Sequence, residues 1–436
     1  MIALLKLILV FAGIVYLLSR RWNLGLVLVL ASVTIGLLFS YPLPQIGCDA
    51  FFTIVDLPTL RLAIQGDSVA DALAILGNAD VLALRLALIV ALIMVLGELL
   101  RQTASTQGMV DALQALIPNG RIVIAALPAL IGLLPMVGGA MFSAPMVDEV
   151  GEHLKADQER KTFVNYWFRH IWEPIFPLYP SMLLAAELLG YTATQLARST
   201  WPVAATAVIG GLLFGLLGLS PHGTTKNSNS SPRVQNLTTL AASVWPIVLV
   251  IVLTMILPVD ERLSLVISLV VTIAGIMVSK HIPLRDLRTI VRQRIPWKTV
   301  VVIFGALIFR RVLENSGAVI AVSEELTDLH IPVALVAFGV PFVAGLLTGL
   351  MAAGFSIGFP VILPLVAVDG GPVSPAWAAW LLVGGFVGTM LSPIHLCLGL
   401  TRVYFKAEWG PVYRLLVPSS LLVTATAAGM LLLHSY

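Results

Sequence analysis

The sequence predicts an all-α polytopic membrane protein, with about ten transmembrane helices plus two re-entrant helical hairpins arranged as an inverted repeat. Three observations carry this prediction. Of the 436 residues, 58% are hydrophobic and 11% charged, against roughly 25% charged in a soluble domain, and mean hydropathy is +0.97. Apolar segments of about 20 residues, the length a helix needs to cross a hydrocarbon core of about 30 Å, recur from end to end. Two further apolar segments are interrupted by proline and glycine at matching places in the two halves.

The predicted spans are 1–18, 22–40, 80–100, 161–189, 200–219, 239–257, 263–280, 297–313, 376–401 and 414–434. The first has Lys6 near its start and is followed by Arg20-Arg21, so it reads as a membrane helix rather than a cleaved leader. Segments 121–147 and 331–368 do not read as simple spans. The basic run KHIPLRDLRTIVRQRIPWK, Lys280 to Lys298, is placed in the cytoplasm by the positive-inside rule. Counting outward from it puts Arg20-Arg21, Lys226 and Arg233 on the same side and both termini outside. The count balances only if 121–147 and 331–368 each enter and leave on one side. The expected location is the inner (cytoplasmic) membrane, with the lipid bilayer as partner. The net charge of +3 is small and scattered, so no nucleic-acid partner is expected. Cys48 and Cys397 lie far apart and lack metal-ligand spacing, so neither a disulfide nor a metal site is expected.

The Ser/Asn-rich stretch near the centre divides the chain into a first repeat, 1–219, a cytoplasmic linker, 220–238, and a second repeat, 239–436. Each repeat holds five spans and one interrupted segment. LPALIGLLPMVGGAMFS, Leu127 to Ser143, aligns without a gap on VPFVAGLLTGLMAAGFS, Val340 to Ser356, at an offset of 213 residues. Pro128 then pairs with Pro341, Gly132 with Gly345, and Phe142-Ser143 with Phe355-Ser356. WEPI at Trp172 to Ile175 and LSPI at Leu391 to Ile394 follow in the same order. Paired Gly/Pro-interrupted segments in inverted halves are the sequence signature of secondary transporters.

An unpaired backbone group costs several kcal/mol in hydrocarbon, so interrupted helices survive only where protein or a water-filled cavity covers them. Pro135, Gly138 and Gly139 interrupt the first segment, and Thr348 and Gly349 the second. A hairpin tip there offers a helix N-terminus to an anion, with Ser143 and Ser356 just beyond to bond a carboxylate. The competing reading is that the small residues only allow close helix packing; two such segments at matched positions favour a site. Pro174 and Pro393 break the spans that follow. Beside them lie Arg169, His170 and Glu173 in one half, and Thr389, Ser392 and His395 in the other. Ionisable groups at membrane depth are default functional candidates. Arg169 can hold an anion, pair with Glu173, or reach an interface; His170 and Glu173 share a helix face and can relay protons. Arg85 and Glu98 are read as interfacial anchors, and Asp148 to Lys161 as a solvated mixed-charge loop.

LLPMVGGAMFSAPMVDEVGEH, Leu133 to His153, and NYWFRHIWEPIFPLYP, Asn165 to Pro180, resemble a prokaryotic domain-of-unknown-function family of integral membrane proteins within the ion-transporter superfamily. Its relatives include gluconate, citrate, dicarboxylate and arsenite permeases. The resemblance implies a scaffold and a moving transport domain, elevator-type motion, and a homodimer. In dicarboxylate-type relatives, Ser-Asn-Thr motifs at the hairpin tips bind Na⁺ and carboxylate. Here the tips read MVGGAMFS and GLMAAGFS, without Asn, which favours coupling to H⁺ through Glu173, His170 or His395 over coupling to Na⁺. No other cofactor is implied.

The expected function is secondary active transport of a small organic anion, a permease coupled to H⁺ or Na⁺, and not an enzyme. The alternatives are an intramembrane enzyme with a metal or His/Glu site, and a passive channel or assembly factor. The chain has no HExxH motif to serve the enzyme, and a channel would never accumulate its solute.

Overall fold

A computed structural model describes residues 2–54, 82–102, 112–113, 115–117, 119–133, 139–219, 233–295, 297–367 and 373–434. Among these it contains nineteen α-helices and no strand. The first half opens with α1 (Ile2–Ser19), α2 (Leu24–Leu38) and α3 (Leu43–Ile54). It continues with the long α4 (Leu82–Gln102), the pair α5 (Gly120–Gly132) and α6 (Gly139–His153), the short α7 (Gln158–His170) and α8 (Pro180–Leu189), and then α9 (Ala193–Gly210), which runs on as a π-turn over Gly211–Leu216. The second half opens with α10 (Arg233–Ile256), α11 (Glu261–Ser279) and α12 (Leu284–Thr289). It then repeats the order: the long α13 (Trp297–Asn315), the connecting α14 (Ala318–Asp328), the pair α15 (Val333–Thr348) and α16 (Met351–Val366), the short α17 (Pro375–Met390) and α18 (Leu396–Phe405), and the long α19 (Trp409–His434).

Among the described residues, five helices are long and apolar enough to cross a membrane by length and composition: Ile2–Ser19, Ala83–Gln102, Ala193–Leu216, Glu261–Ser279 and Trp409–Leu433. The predicted spans 161–189 and 376–401 are each two short helices with a break between them. The cause is local. Proline cannot donate to the helical ladder and restrains the residue before it, and Pro174 and Pro177 sit in one break, Pro393 in the other. Helices resume where a start signal occurs: Pro180 opens α8, and on the second half the Ser374 hydroxyl caps the N-terminus of α17 with Pro375 at its first position.

α5 packs on α6, and α15 on α16. Gly349 and Leu350 join α15 to α16, and Gly349 takes φ 66°, the left-handed conformation that glycine adopts at least cost. Residues 134–138, between α5 and α6, and most of the central linker lie outside the described residues, and Pro135 and Gly138 are among them. The two halves interlock. α7 and α6 both pack on α18, and α8 packs on α16. Elsewhere backbones meet directly, as where Gly305 of α13 has no room for a Cβ against Gly25 of α2. Small residues allow the same close approach in other membrane bundles.

Outside the bundle core, polar groups tie short helices to long ones. The Glu325 carboxylate of α14 accepts from the N–H groups of Ala3 and Leu4 at 2.9 and 2.8 Å, capping α1. Asp49 of α3 accepts from Tyr41 at 2.8 Å and from Asn315 of α13 at 2.9 Å.

Candidate binding site at the two helix breaks

The C-terminal turn of α7 and the N-terminus of α18 meet where each broken helix is interrupted. His170 is the last residue of α7, and its Nδ1–H donates to the Tyr166 carbonyl one turn back, at 2.7 Å. His395 precedes α18, and its Nδ1–H donates to the Gly349 carbonyl at the α15–α16 turn, at 2.8 Å. The two Nε2 atoms then stand 3.3 Å apart. Tyr166 packs on both rings, with centroids 4.8 and 5.5 Å away, and its hydroxyl donates to the Met390 carbonyl at 3.2 Å. Glu173 lies one turn past His170, with Oε1 3.9 Å from its Nε2. The other Glu173 oxygen is buried with no hydrogen-bond partner among the described residues.

Arg169 is 5% exposed. Its guanidinium lies against Gly139, the first described residue of α6, where an added Cβ would stand 2.8 Å from Nε. Arg169 is enclosed by protein. Its backbone carbonyl abuts Gly132 at the end of α5, leaving no room for a Cβ there. Gly345, the repeat partner of Gly132, packs in the same manner on α17, with an added Cβ 2.8 Å from the Gly385 carbonyl. A second parallel follows: Tyr179 donates its hydroxyl to the Gly132 carbonyl, and Ser392 donates to that of Leu346, one residue past Gly345, at 2.6 Å. In both halves the break that follows the helix pair is stitched to the end of the pair's first helix.

The predicted site residues therefore divide. Gly139, Arg169, His170, Glu173, Gly349 and His395 gather at the junction of the halves. Thr348 and Ser392 support it: the Thr348 hydroxyl donates to the Ala344 carbonyl at 2.6 Å and accepts from Leu350 N–H at 3.2 Å, shaping the turn. Ser143 is fully buried and already engaged, donating to Asn165 Oδ1 at 2.6 Å. Ser356 and Thr389 are buried with hydroxyls lacking a partner among the described residues, and nothing described ties Ser356 to the histidines. Pro135 and Gly138 fall outside the described residues.

Sequence reasoning missed two participants, Tyr166 and Cys397, and gave a third, Asn165, no role. Asn165 joins three helices, donating to the Ala140 carbonyl at 2.9 Å and to Thr401 Oγ1 at 3.2 Å while accepting from Ser143. Tyr166 wedges the imidazoles. Cys397, which shows no metal-ligand spacing in sequence, has its Sγ within 4.8 Å of a nitrogen of each histidine. Its position two residues after His395 was the available signal. Arg85 is buried and lines a small pocket with Glu187 and Arg262, themselves paired at 3.1 Å. Lys161 is buried and paired to Asp148 at 2.6 Å, while Glu149, Glu152 and Lys155 of the same mixed-charge segment are exposed.

The fold is similar to that of the Alcanivorax borkumensis YdaH transporter, whose crystal structure is described as having an unusual topology. The TM-score is 0.57 at 16% identity, covering 93% of this chain and 97% of that one. No curated protein matches the chain at the level of sequence. An all-helical architecture built on apolar spans and shared with a transporter fold identifies a multi-pass membrane protein. The profile of the DUF401 family, described as proteins of unknown function, matches residues 52–434, and the chain belongs to that family.

Proposed function

We propose that the chain is a secondary active transporter, a permease that moves a small organic anion by alternating access, coupled to H⁺ or Na⁺. The observation that carries this reading is the buried Arg169 guanidinium lying against Gly139 of α6. A guanidinium offers a planar fork of donors that fits a carboxylate. It is buried where the halves meet, the place such folds use for substrate. Glu173, with one oxygen unpartnered, is the carboxylate available to take up the coupling cation. Re-entrant hairpins at α5–α6 and α15–α16, inverted halves, a homodimer, elevator motion, and an inner-membrane location with both termini outside complete the proposal. The reading also extends to kinship with the gluconate, citrate, dicarboxylate and arsenite permeases, as the resemblance of the sequence motifs implies.

The test starts from a thermal-shift screen of the purified protein against carboxylates, sugar acids and oxyanions, since a ligand of the folded state raises Tm by mass action. The stabilising anion is then offered to proteoliposomes under an imposed H⁺ or Na⁺ gradient. Accumulation above the anion's own gradient, lost in Arg169→Gln, is expected. Uptake that only equilibrates indicates a channel, and chemical conversion of the anion indicates an enzyme; either outcome overturns the reading.

A further inference from the structure

The histidine pair holds a conflict that a proton-free site would not tolerate. A carbonyl oxygen only accepts, so the bonds to Tyr166 and Gly349 fix the proton of each imidazole on Nδ1. Each Nε2 is then a bare lone pair, and the two face each other at 3.3 Å. Two neutral imidazoles held this way meet acceptor to acceptor unless a proton or a cation lies between them. A metal ion resolves this directly, because imidazole ligates through one nitrogen while its other N–H is held by a backbone carbonyl or carboxylate. The spacing fits. Two nitrogens at Zn–N distances of about 2.0–2.1 Å on a tetrahedral ion lie about 3.3 Å apart.

A third donor stands in place. Cys397 Sγ and one nitrogen of each histidine all lie within 4.8 Å of one another, and Cys397 is a free thiol. Glu173 Oε1, 3.9 Å from His170 Nε2, can close the fourth position. Two neutral imidazoles, a thiolate and a carboxylate give a divalent ion a net charge of zero, which a buried site in an apolar bundle requires. Thiolate with imidazole in tetrahedral geometry selects zinc over magnesium or calcium.

We propose that His170, His395 and Cys397, with Glu173 as fourth ligand, form a binding site for a zinc-class divalent ion. The thiol loses its proton to solvent as the metal–sulfur bond forms. The ligands come from both halves, His170 and Glu173 from the first and His395 and Cys397 from the second, so the ion clasps the two helix breaks together. This site does not rest on the transport reading. Metal binding is read at equilibrium on the purified protein, whereas transport is read by accumulation in vesicles, so either can fail alone.

The experiment titrates Co²⁺ into the full chain, stripped of metal and held in lipid nanodiscs. Expected are saturation at one Co²⁺ per chain, tetrahedral visible bands, a thiolate-to-cobalt charge-transfer band in the near ultraviolet, and displacement by Zn²⁺. Cys397→Ser loses the charge-transfer band, while Cys48→Ser keeps it. His395→Asn, which retains a donor for Gly349 but has no Nε2, weakens binding more than about 100-fold, beyond the 10–100-fold that losing an outer partner costs. Native-like chromatography and helicity of each variant separate ligand loss from misfolding. Absence of saturable binding, an octahedral spectrum, or a band that survives in Cys397→Ser overturns the proposal.

Discussion

Arg169 and the two glycines around it set different jobs on one residue. Its side chain reaches Gly139 and its carbonyl reaches Gly132. A Cβ at position 139 meets the Arg169 guanidinium first, so Gly139→Ala displaces a side chain rather than backbone. The expected result is a raised KM for the transported anion, with a smaller loss of Tm than in Gly132→Ala. An unchanged KM would remove Arg169 from anion binding. Gly132→Ala instead drives a Cβ into a backbone carbonyl that cannot rotate away, so stability should fall by about 1–3 kcal/mol, the usual cost of overpacking, read as a lower Tm. Asn165 makes a comparable case among polar groups. Asn165→Ala removes the partner of the buried Ser143 hydroxyl and two further bonds. It should cost about 1–3 kcal/mol, and denaturation in detergent checks it. Arg169, His170, Glu173 and His395 were legible in the sequence as candidates because ionisable groups are rare at membrane depth. The role of Asn165 was not, since an uncharged amide among apolar residues stands out only once its three partners are assembled around it.

At the level of elements, the prolines decide where helices stop and the hydrogen bonds decide what the stops are attached to. α7 ends before Pro174 and α17 before Pro393. The freed turns are recruited: Thr200 bonds the Pro174 carbonyl, and Tyr413 bonds that of Leu391 at 2.8 Å. The turn at Gly349 shows how tightly one element constrains another. Its φ of 66° disfavours any side chain, by about 1–2 kcal/mol, and a Cβ there would stand 2.8 Å from the His395 nitrogen. Gly349→Ala should therefore lower Tm and, by shifting His395, weaken Co²⁺ binding as well. A variant with a lower Tm but full metal affinity would separate the turn from the histidine pair. Both breaks were legible, because proline acts locally. The attachment of each break to its helix pair was not, because it depends on which carbonyls are left over in three dimensions.

Across the whole molecule, the repeated order of long helix, helix pair, broken helix and long helix brings two matched breaks face to face. Packing of α7 and α6 on α18, and of α8 on α16, makes the halves interdependent. Residues that meet are about 225 positions apart, as for His170 and His395. The orientation proposed for this assembly rests on charge. Residues 280–298 carry the densest basic run, and His281 is exposed beside it. His281→Cys should react with a membrane-impermeant thiol reagent in inside-out vesicles and not in intact cells, in a background lacking Cys48 and Cys397. Labelling in intact cells would reverse the topology and place both termini inside.

The sequence by itself determined that this is a membrane protein, which segments are apolar, where proline breaks them, and that two halves share a pattern. These are properties of composition and of neighbours a few residues apart, and local chemistry settles them. Only the tertiary structure decided that Ser143 is occupied by Asn165, that Arg169 lies against the start of α6, and that His170, His395 and Cys397 converge. Those facts depend on which helix faces meet across the two halves, and that is set by the packing of the whole bundle, where close glycine contacts and shared carbonyls select one arrangement among many that the same hydrophobic pattern would allow.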